Sequence, residues 1–231
     1  MKREGTPWYK FISWLMRTGY LGLMGGVEVR GIENVPMSGP VIIAPVHVSY
    51  LDPPVLGGVC PRSLRFMAKE ELFKGLLGSL IRSLGAFPVK RGTSDTAAVR
   101  LAIDELNKGR ALIMFAEGQR GDGVAMNPIQ SGMGMLAKKT SAQVVPVGLG
   151  GTNIMWPRGS KKIRRAKITV VFGKPFRYSD FEASDEKEAR RLFSERLAAE
   201  ILRLTNEAGL PLKASETKPI PSTDDRRGQE A

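Results

Sequence analysis

The histidine and the aspartate of the segment APVHVSYLDPP, positions 44–54, have the types and spacing for acid–base chemistry. His47 is the only histidine among 231 residues, and Asp52 follows it by five positions. A carboxylate that hydrogen-bonds one imidazole nitrogen fixes the tautomer, so that the other nitrogen can accept a proton from a hydroxyl. That hydroxyl belongs either to a side chain, with Ser49 nearest, or to a substrate. In the alternative interpretation, Asp52 merely caps a helix and His47 is a buried structural residue.

A pair of adjacent cations, Lys90 and Arg91, lies in the segment FPVKRGT, positions 87–93. Such a pair after a tight turn can hold a phosphate, and arginine does so with two parallel hydrogen bonds. A Lys-Arg pair is also common on an ordinary solvated surface. The segment alone therefore leaves both interpretations open.

The segment FAEGQRG, positions 115–121, follows an apolar run that has the length of a buried strand. In open α/β sheets, ligands bind beyond the carboxyl ends of the strands. His47 also follows a predicted strand. If the two strands are neighbours, we expect Glu117 and Arg120 to face the imidazole.

The segments between these motifs alternate between strand-like and helix-like patterns. The pattern predicts strands over 27–31, 40–46, 64–68, 111–116, 142–151 and 167–176, and helices from Asp52 and over 72–85, 94–109, 132–139 and 185–206. This alternation predicts one α/β domain with a largely parallel central sheet flanked by helices. The apolar stretch 72–84 either lines a groove for an apolar ligand or belongs to the core.

The first 26 residues predict an amphipathic helix that lies in a membrane interface. Its longest uncharged run, 18–27, has 10 residues, whereas a bilayer span takes about 20. Aromatic and aliphatic side chains cluster on one broad face and cations accompany them, a pattern typical of a helix in the headgroup region. The apolar members are Trp8, Phe11, Ile12, Trp14 and Leu15, and the cations are Lys2, Arg3, Lys10 and Arg17. A helix that packs on the core is the alternative.

Three regions are therefore predicted: an interface helix over 1–26, a catalytic domain over 27–210 and a disordered tail over 211–231. The tail has several prolines, no aromatic residue and balanced charges.

The net charge of +12 predicts an anionic partner. The run Arg158–Lys167, with six cations and no acid, fits an anionic membrane surface, an acidic carrier protein or a phosphorylated substrate. Nucleic acid is disfavoured, because no nucleic-acid-binding motif is present and the aromatic residues lie apart from the cations. One cysteine and one histidine argue against a metal site.

Taken together, the motifs resemble the glycerolipid acyltransferases typified by the bacterial 1-acylglycerol-3-phosphate acyltransferases. The shared order is H-x4-D, then G-x-F-P-V-x-R, then F-x-E-G-x-R, then V-V-P-V with Val145 and Pro146, over about 40–175. The resemblance implies that His47 is the general base, that Asp52 orients it, and that the acceptor hydroxyl attacks an acyl thioester directly.

The resemblance also assigns the residues that bind the acceptor. Lys90, Arg91 and Arg120 would hold its phosphate, and Glu117 and Gly118 would shape its site. The implied reaction uses acyl-CoA or acyl carrier protein as co-substrate and needs no cofactor or metal. The implied location is the cytoplasmic face of the membrane, in contact with its lipids.

This sequence departs from the family pattern at Val46, Ala116, Gln119 and Gly121, where the family commonly has Asn, Pro, Thr and Ser. The base and its orienter are intact, so we expect acyl transfer to a lysophospholipid, with 1-acylglycerol-3-phosphate preferred and phosphatidic acid as the product. Another lysolipid acceptor, a thioester hydrolase and a non-catalytic lipid-binding protein are the alternatives.

Overall fold

An eight-stranded sheet forms the centre of the chain in a computed structural model, which describes residues 4–89, 96–160, 162–181, 183 and 185–214. Its strands are β1 (Val27–Arg30), β2 (Val41–Pro45), β3 (Leu64–Lys69), β4 (Ala86–Val89), β5 (Ala111–Ile113), β7 (Gln143–Gly150), β8 (Ile168–Phe172) and β9 (Phe176–Arg177). A separate parallel pair is formed by β6 (Ala125–Met126) and β10 (Lys213–Ala214).

Seven α-helices are found among the described residues. They are α1 (Pro7–Trp14), α2 (Asp52–Val59), α3 (Gly75–Ser83), α4 (Thr96–Asn107), α5 (Gly132–Thr140), α6 (Thr152–Met155) and α7 (Glu186–Glu207). The predicted helix start at Ser94 lies outside the described residues. A 3₁₀ turn, Glu70–Phe73, precedes α3, so the observed α-helix is shorter than the one predicted over 72–85.

The strand order is β1-β8-β7-β2-β5-β3-β4, with β9 beside β7. Neighbouring strands are parallel except where β7 meets β8 and β9. The predicted α/β class with a largely parallel sheet is therefore confirmed. Strands β2 and β5 are direct neighbours, with Ile43 aligned on Ile113, which brings the loops that follow them to one edge of the sheet.

Continuous apolar sequence makes the central strands buried on both faces. All five residues of β2 are buried, as are seven of the eight in β7. Because β–α–β crossovers are right-handed, α2 and α3 lie on one face of the sheet and α4 and α5 on the other. Helix α7 packs against β7 so closely that a Cβ on Gly148 would lie 2.2 Å from the Leu204 carbonyl.

The N-terminal segment is helical from Pro7 and continues as a π-helix over Leu15–Leu21. Its inner side contacts the domain: the hydroxyl of Ser13 donates to the Gly57 carbonyl at 2.9 Å. Its outer side leaves Trp8, Phe11 and Trp14 exposed. No described helix combines the length and apolarity needed to cross a bilayer.

The described chain remains structured beyond the predicted domain end at 210. Leu212 is buried, and Lys213 and Ala214 pair with Ala125 and Met126. Residues at the start of the predicted tail are therefore packed and paired, in a short strand that the sequence pattern did not show. The rest of the predicted tail, 215–231, lies outside the described residues.

Candidate active site

His47 lies in the loop that joins β2 to α2, two residues beyond the end of β2. Its Nδ1 is 2.8 Å from Oδ2 of Asp52, the first residue of α2. Both are buried: Asp52 has no exposed surface, and His47 is 8% exposed. With Nδ1 held by the carboxylate, Nε2 becomes the basic nitrogen of the ring.

The carboxylate of Asp52 organises the loop as well as the imidazole. Its Oδ2 also accepts the backbone N–H groups of Val48 and Ser49, both at 2.8 Å. Asp52 begins the helix, as predicted, but its side chain turns back toward the loop instead of capping α2. One oxygen thus satisfies loop N–H groups and orients the histidine, so the structural and catalytic interpretations of Asp52 are compatible.

Ser49 is not positioned as the reacting hydroxyl. It is fully buried, its Oγ donates to the Trp156 carbonyl at 2.8 Å, and it accepts the N–H of Leu51 at 3.2 Å. Its proton is committed to a backbone carbonyl. Ser49 is therefore excluded as the hydroxyl that a base at His47 would activate.

Glu117, in the segment that follows the neighbouring strand β5, contacts the backbone of His47. Its Oε1 accepts the His47 N–H at 3.2 Å, and Oε2 accepts both the backbone and the side-chain amide of Asn127 at 2.9 and 3.0 Å. The side chain is 2% exposed, and this burial raises the pKa of the Glu117 carboxyl. Glu117 therefore holds the histidine backbone in place, and its role in shaping the acceptor site stays a prediction.

Other residues of segment 115–121 also contact the histidine. The Phe115 ring stacks on the imidazole with centroids 3.8 Å apart, and the Gly121 N–H donates to the His47 carbonyl at 2.8 Å. Gly118 has a φ of +70°, a left-handed conformation that favours glycine. The segment does meet His47, but not as predicted: Glu117 bonds the backbone N–H, and Phe115 is the residue that stacks on the imidazole.

Arg120 lies on the opposite side of this turn, over the exposed ring of Tyr50. Its Cζ is 3.4 Å from the ring centroid, and the Nη1 of Arg158 donates to its carbonyl at 3.0 Å. The Arg120 guanidinium lowers the pKa of the Tyr50 phenol, first through a hydrogen bond and then through its charge, and the charges of Lys69 and Arg158 lower it further. Lys69, Arg120 and Arg158 therefore form a cationic cluster near Tyr50, a residue of the H-x4-D loop.

Sequence reasoning missed Lys69 and Arg158 as parts of this cluster. Lys69 ends β3, so the rule that ligands bind at carboxyl strand ends was a usable signal. Lys69 aligns with Val89, the last residue of β4. The predicted phosphate ligands Lys90 and Arg91 lie outside the described residues.

The four departures from the family pattern fall into two environments. Val46, Ala116 and Gly121 are buried, whereas Gln119 is exposed. Among the described residues, no cluster of three or more His, Cys, Asp or Glu side chains could hold a metal ion.

The chain is similar in sequence to known acyltransferases. The Acyltransferase family model matches residues 26–150. The 1-acyl-sn-glycerol-3-phosphate acyltransferase of Bacillus subtilis is 30% identical over 86% of this chain and 97% of its own length. The lyso-ornithine lipid O-acyltransferase of Pseudomonas aeruginosa is 31% identical over 53% of this chain and 47% of its own.

A solved structure has the same architecture. The 1-acyl-sn-glycerophosphate (LPA) acyltransferase PlsC from Thermotoga maritima superposes with a TM-score of 0.72 and 28% identity, over 85% of this chain and 79% of that one. The family match covers more than half of the chain and includes His47, Asp52 and the Glu117 segment. The chain therefore belongs to the Acyltransferase family and is an acyl-transferring enzyme similar to the 1-acyl-sn-glycerol-3-phosphate acyltransferases.

Proposed function

We propose that this protein transfers a fatty acyl chain from an acyl thioester to the hydroxyl of 1-acylglycerol-3-phosphate, giving phosphatidic acid. The observation that carries the proposal is the buried 2.8 Å contact between His47 and Asp52, beside a cluster of cations. The printed activities of the Bacillus and Thermotoga relatives support the choice of acceptor.

His47 supplies the base for this reaction. Its Nε2 takes the proton of the acceptor hydroxyl while the oxygen attacks the thioester carbonyl. The resulting imidazolium is stabilised by the Asp52 carboxylate, since Nδ1 already donates to Oδ2. When the C–S bond breaks, His47 returns the proton to the departing thiolate, so an ester and a free thiol are formed.

Positive charge supports the binding of both substrates, because the acceptor and the donor are anionic. Arg120 lies beside the histidine loop, and no salt bridge joins it to a described carboxylate. It is therefore available to a phosphate, together with Lys69 and Arg158 and the predicted ligands Lys90 and Arg91. Either donor, acyl-CoA or acyl carrier protein, is anionic and is attracted by the net charge of +12.

The apolar acyl chains of both substrates place the reaction at a membrane surface. Helices α1 and α3 are joined by a hydrogen bond from Trp8 Nε1 to Ser83 Oγ at 3.0 Å. Beside the exposed aromatics of α1, α3 exposes 91% of Leu76 and 54% of Leu77. The apolar stretch 72–84 is thus mostly outside the core.

We call α1 and α3 together the α1–α3 face. The cations Lys10, Arg17, Lys74 and Arg82 on its helices and connections are exposed, which is the composition of a surface that binds anionic headgroups. We propose that this face lies on the cytoplasmic leaflet as a peripheral contact.

Purified protein incubated with an acyl thioester and a panel of lysolipids tests the reaction, with the products followed by mass spectrometry. The panel includes 1-acylglycerol-3-phosphate and a lyso-ornithine lipid. We expect phosphatidic acid from wild type and at least 100-fold less from His47→Ala, since general base catalysis contributes about 10²–10⁴-fold. Thioester loss without an acceptor would indicate a hydrolase, and no turnover by folded protein would indicate a lipid-binding protein.

Flotation with vesicles containing phosphatidylglycerol tests the α1–α3 face. Leu76→Asp should weaken binding about 10-fold or more, because burying one leucine side chain contributes about 1.5–3 kcal/mol. The matched control is Leu101→Asp, a leucine of α4 that is 42% exposed and belongs to neither helix of the α1–α3 face. Equal binding by the two variants would contradict this orientation.

A further inference from the structure

The contact between Arg120 and Tyr50 is a candidate determinant of acceptor specificity. At 3.4 Å the guanidinium carbon lies almost in van der Waals contact with the ring face, well within the roughly 6 Å range of a cation–π interaction. The Nη1 atom of Arg120 is covered and has no hydrogen-bond partner among the described residues. The ring of Tyr50, rather than a described carboxylate, therefore fixes this cation.

Tyr50 is itself held by the loop that carries the base. It lies between His47 and Asp52 in sequence, and its ring packs at 5.3 Å on Trp156. The Trp156 carbonyl in turn accepts the Ser49 hydroxyl at 2.8 Å. The position of the Tyr50 ring is thus coupled to the His47–Asp52 loop.

We propose that Tyr50 is a positioning residue that fixes Arg120 to receive the phosphate of the acceptor at a set distance from His47. A guanidinium stacked on one face keeps the N–H groups along its edge in plane, and this geometry suits two parallel hydrogen bonds to phosphate oxygens. Because the cation is not neutralised by a described carboxylate, its charge remains available to the ligand. This inference rests on the proposed function, in which the acceptor bears a phosphate.

Steady-state kinetics of Tyr50→Leu and Tyr50→Phe test the proposal, with 1-acylglycerol-3-phosphate and with 1-monoacylglycerol, which lacks the phosphate. For Tyr50→Leu we expect KM for the phosphate-bearing acceptor to rise about 5- to 30-fold, the factor that corresponds to a cation–π interaction. Its kcat should stay within about 2-fold of wild type. Tyr50→Phe keeps the ring face but loses the phenol that also contacts Arg120, so its KM should rise less than that of Tyr50→Leu.

The two acceptors separate positioning from a general structural role. The ratio of kcat/KM for 1-acylglycerol-3-phosphate to that for 1-monoacylglycerol should fall in Tyr50→Leu and fall less in Tyr50→Phe, and thermal unfolding should match wild type because Tyr50 is half exposed. If Tyr50→Leu is unstable, Tyr50→Gln replaces it as a ringless variant. An unchanged KM, or equal losses with Leu and Phe, overturns the role of Tyr50 while the proposed function stands. Wild type that makes no phosphatidic acid overturns both.

Discussion

Asp52→Asn is the substitution that isolates the charge of the orienting carboxylate from its hydrogen bonds. In wild type one oxygen, Oδ2, receives the His47 ring N–H and two backbone N–H groups. An asparagine that places its carbonyl oxygen there keeps all three contacts. Asp52→Ala removes all three and leaves three buried donors unpaired, at about 1–3 kcal/mol each, which approaches the whole stability of a domain.

The magnitude follows from the imidazolium that forms during proton transfer. With the charge centres about 4 Å apart and an effective dielectric constant of about 20, the carboxylate stabilises the imidazolium by about 4 kcal/mol. Losing this charge should lower kcat about 10³-fold. The new amide N–H groups take the place of Oδ1, which has no partner among the described residues, so stability should fall by about 1–3 kcal/mol.

Acyl transfer measured under saturating donor, together with urea unfolding, checks both numbers. The KM for the acceptor should hardly change, because Asp52 has no exposed surface. A variant with kcat within about 3-fold of wild type would refute the orienting role. In that case Asp52 would only organise the loop.

Two further predictions concern stability. Burial raises the pKa of Glu117 above its ordinary 4.5, so the native state holds this proton more tightly than the unfolded chain does. The Glu117 carboxyl therefore contributes most to the free energy of unfolding at low pH, where it is protonated. As pH rises from about 4.5 through the raised pKa, wild type should lose free energy of unfolding relative to Glu117→Gln. Parallel plots of this free energy against pH for the two proteins, from urea titrations, would contradict this. Gly148→Ala should cost at least about 1–3 kcal/mol, because its Cβ would meet the Leu204 backbone at 2.2 Å. Gly22→Ala is its control, because a Cβ there would meet only the Arg17 carbonyl oxygen at 3.9 Å, an ordinary contact distance. This variant should be neutral or slightly stabilising, as measured by urea unfolding.

Sequence patterns predicted the strands well because the central strands are apolar on both faces. The runs at 40–46 and 142–151 became β2 and β7 almost at their predicted bounds. The run 111–116 was predicted as one strand but ends at Ile113. Its last three residues are apolar because Phe115 stacks on His47 and Ala116 is buried beneath the loop, and composition does not distinguish those environments from a strand.

The site was predictable where it depends on order along the chain and not where it depends on contacts between distant segments. His47 and Asp52 are five residues apart, so their pairing was within reach of spacing and chemistry. Tyr50 carries no signal of its own, since an aromatic residue in a loop is unremarkable until Arg120 is seen over its ring. Arg158, 38 residues from Arg120, required the tertiary structure in the same way.

The two buried carboxylates each hold a different part of His47, the proposed base. Asp52, from the segment after β2, fixes the ring, and Glu117, from the segment after β5, fixes the backbone N–H. Because β2 and β5 are adjacent and in register, both supports are tied to the most buried part of the sheet. Gln119 lies on the exposed side of this arrangement and Gly121 contributes only its backbone N–H to His47. The departures at these two positions therefore leave both supports of the base in place, and we expect them to change which acceptor is bound while acyl transfer persists.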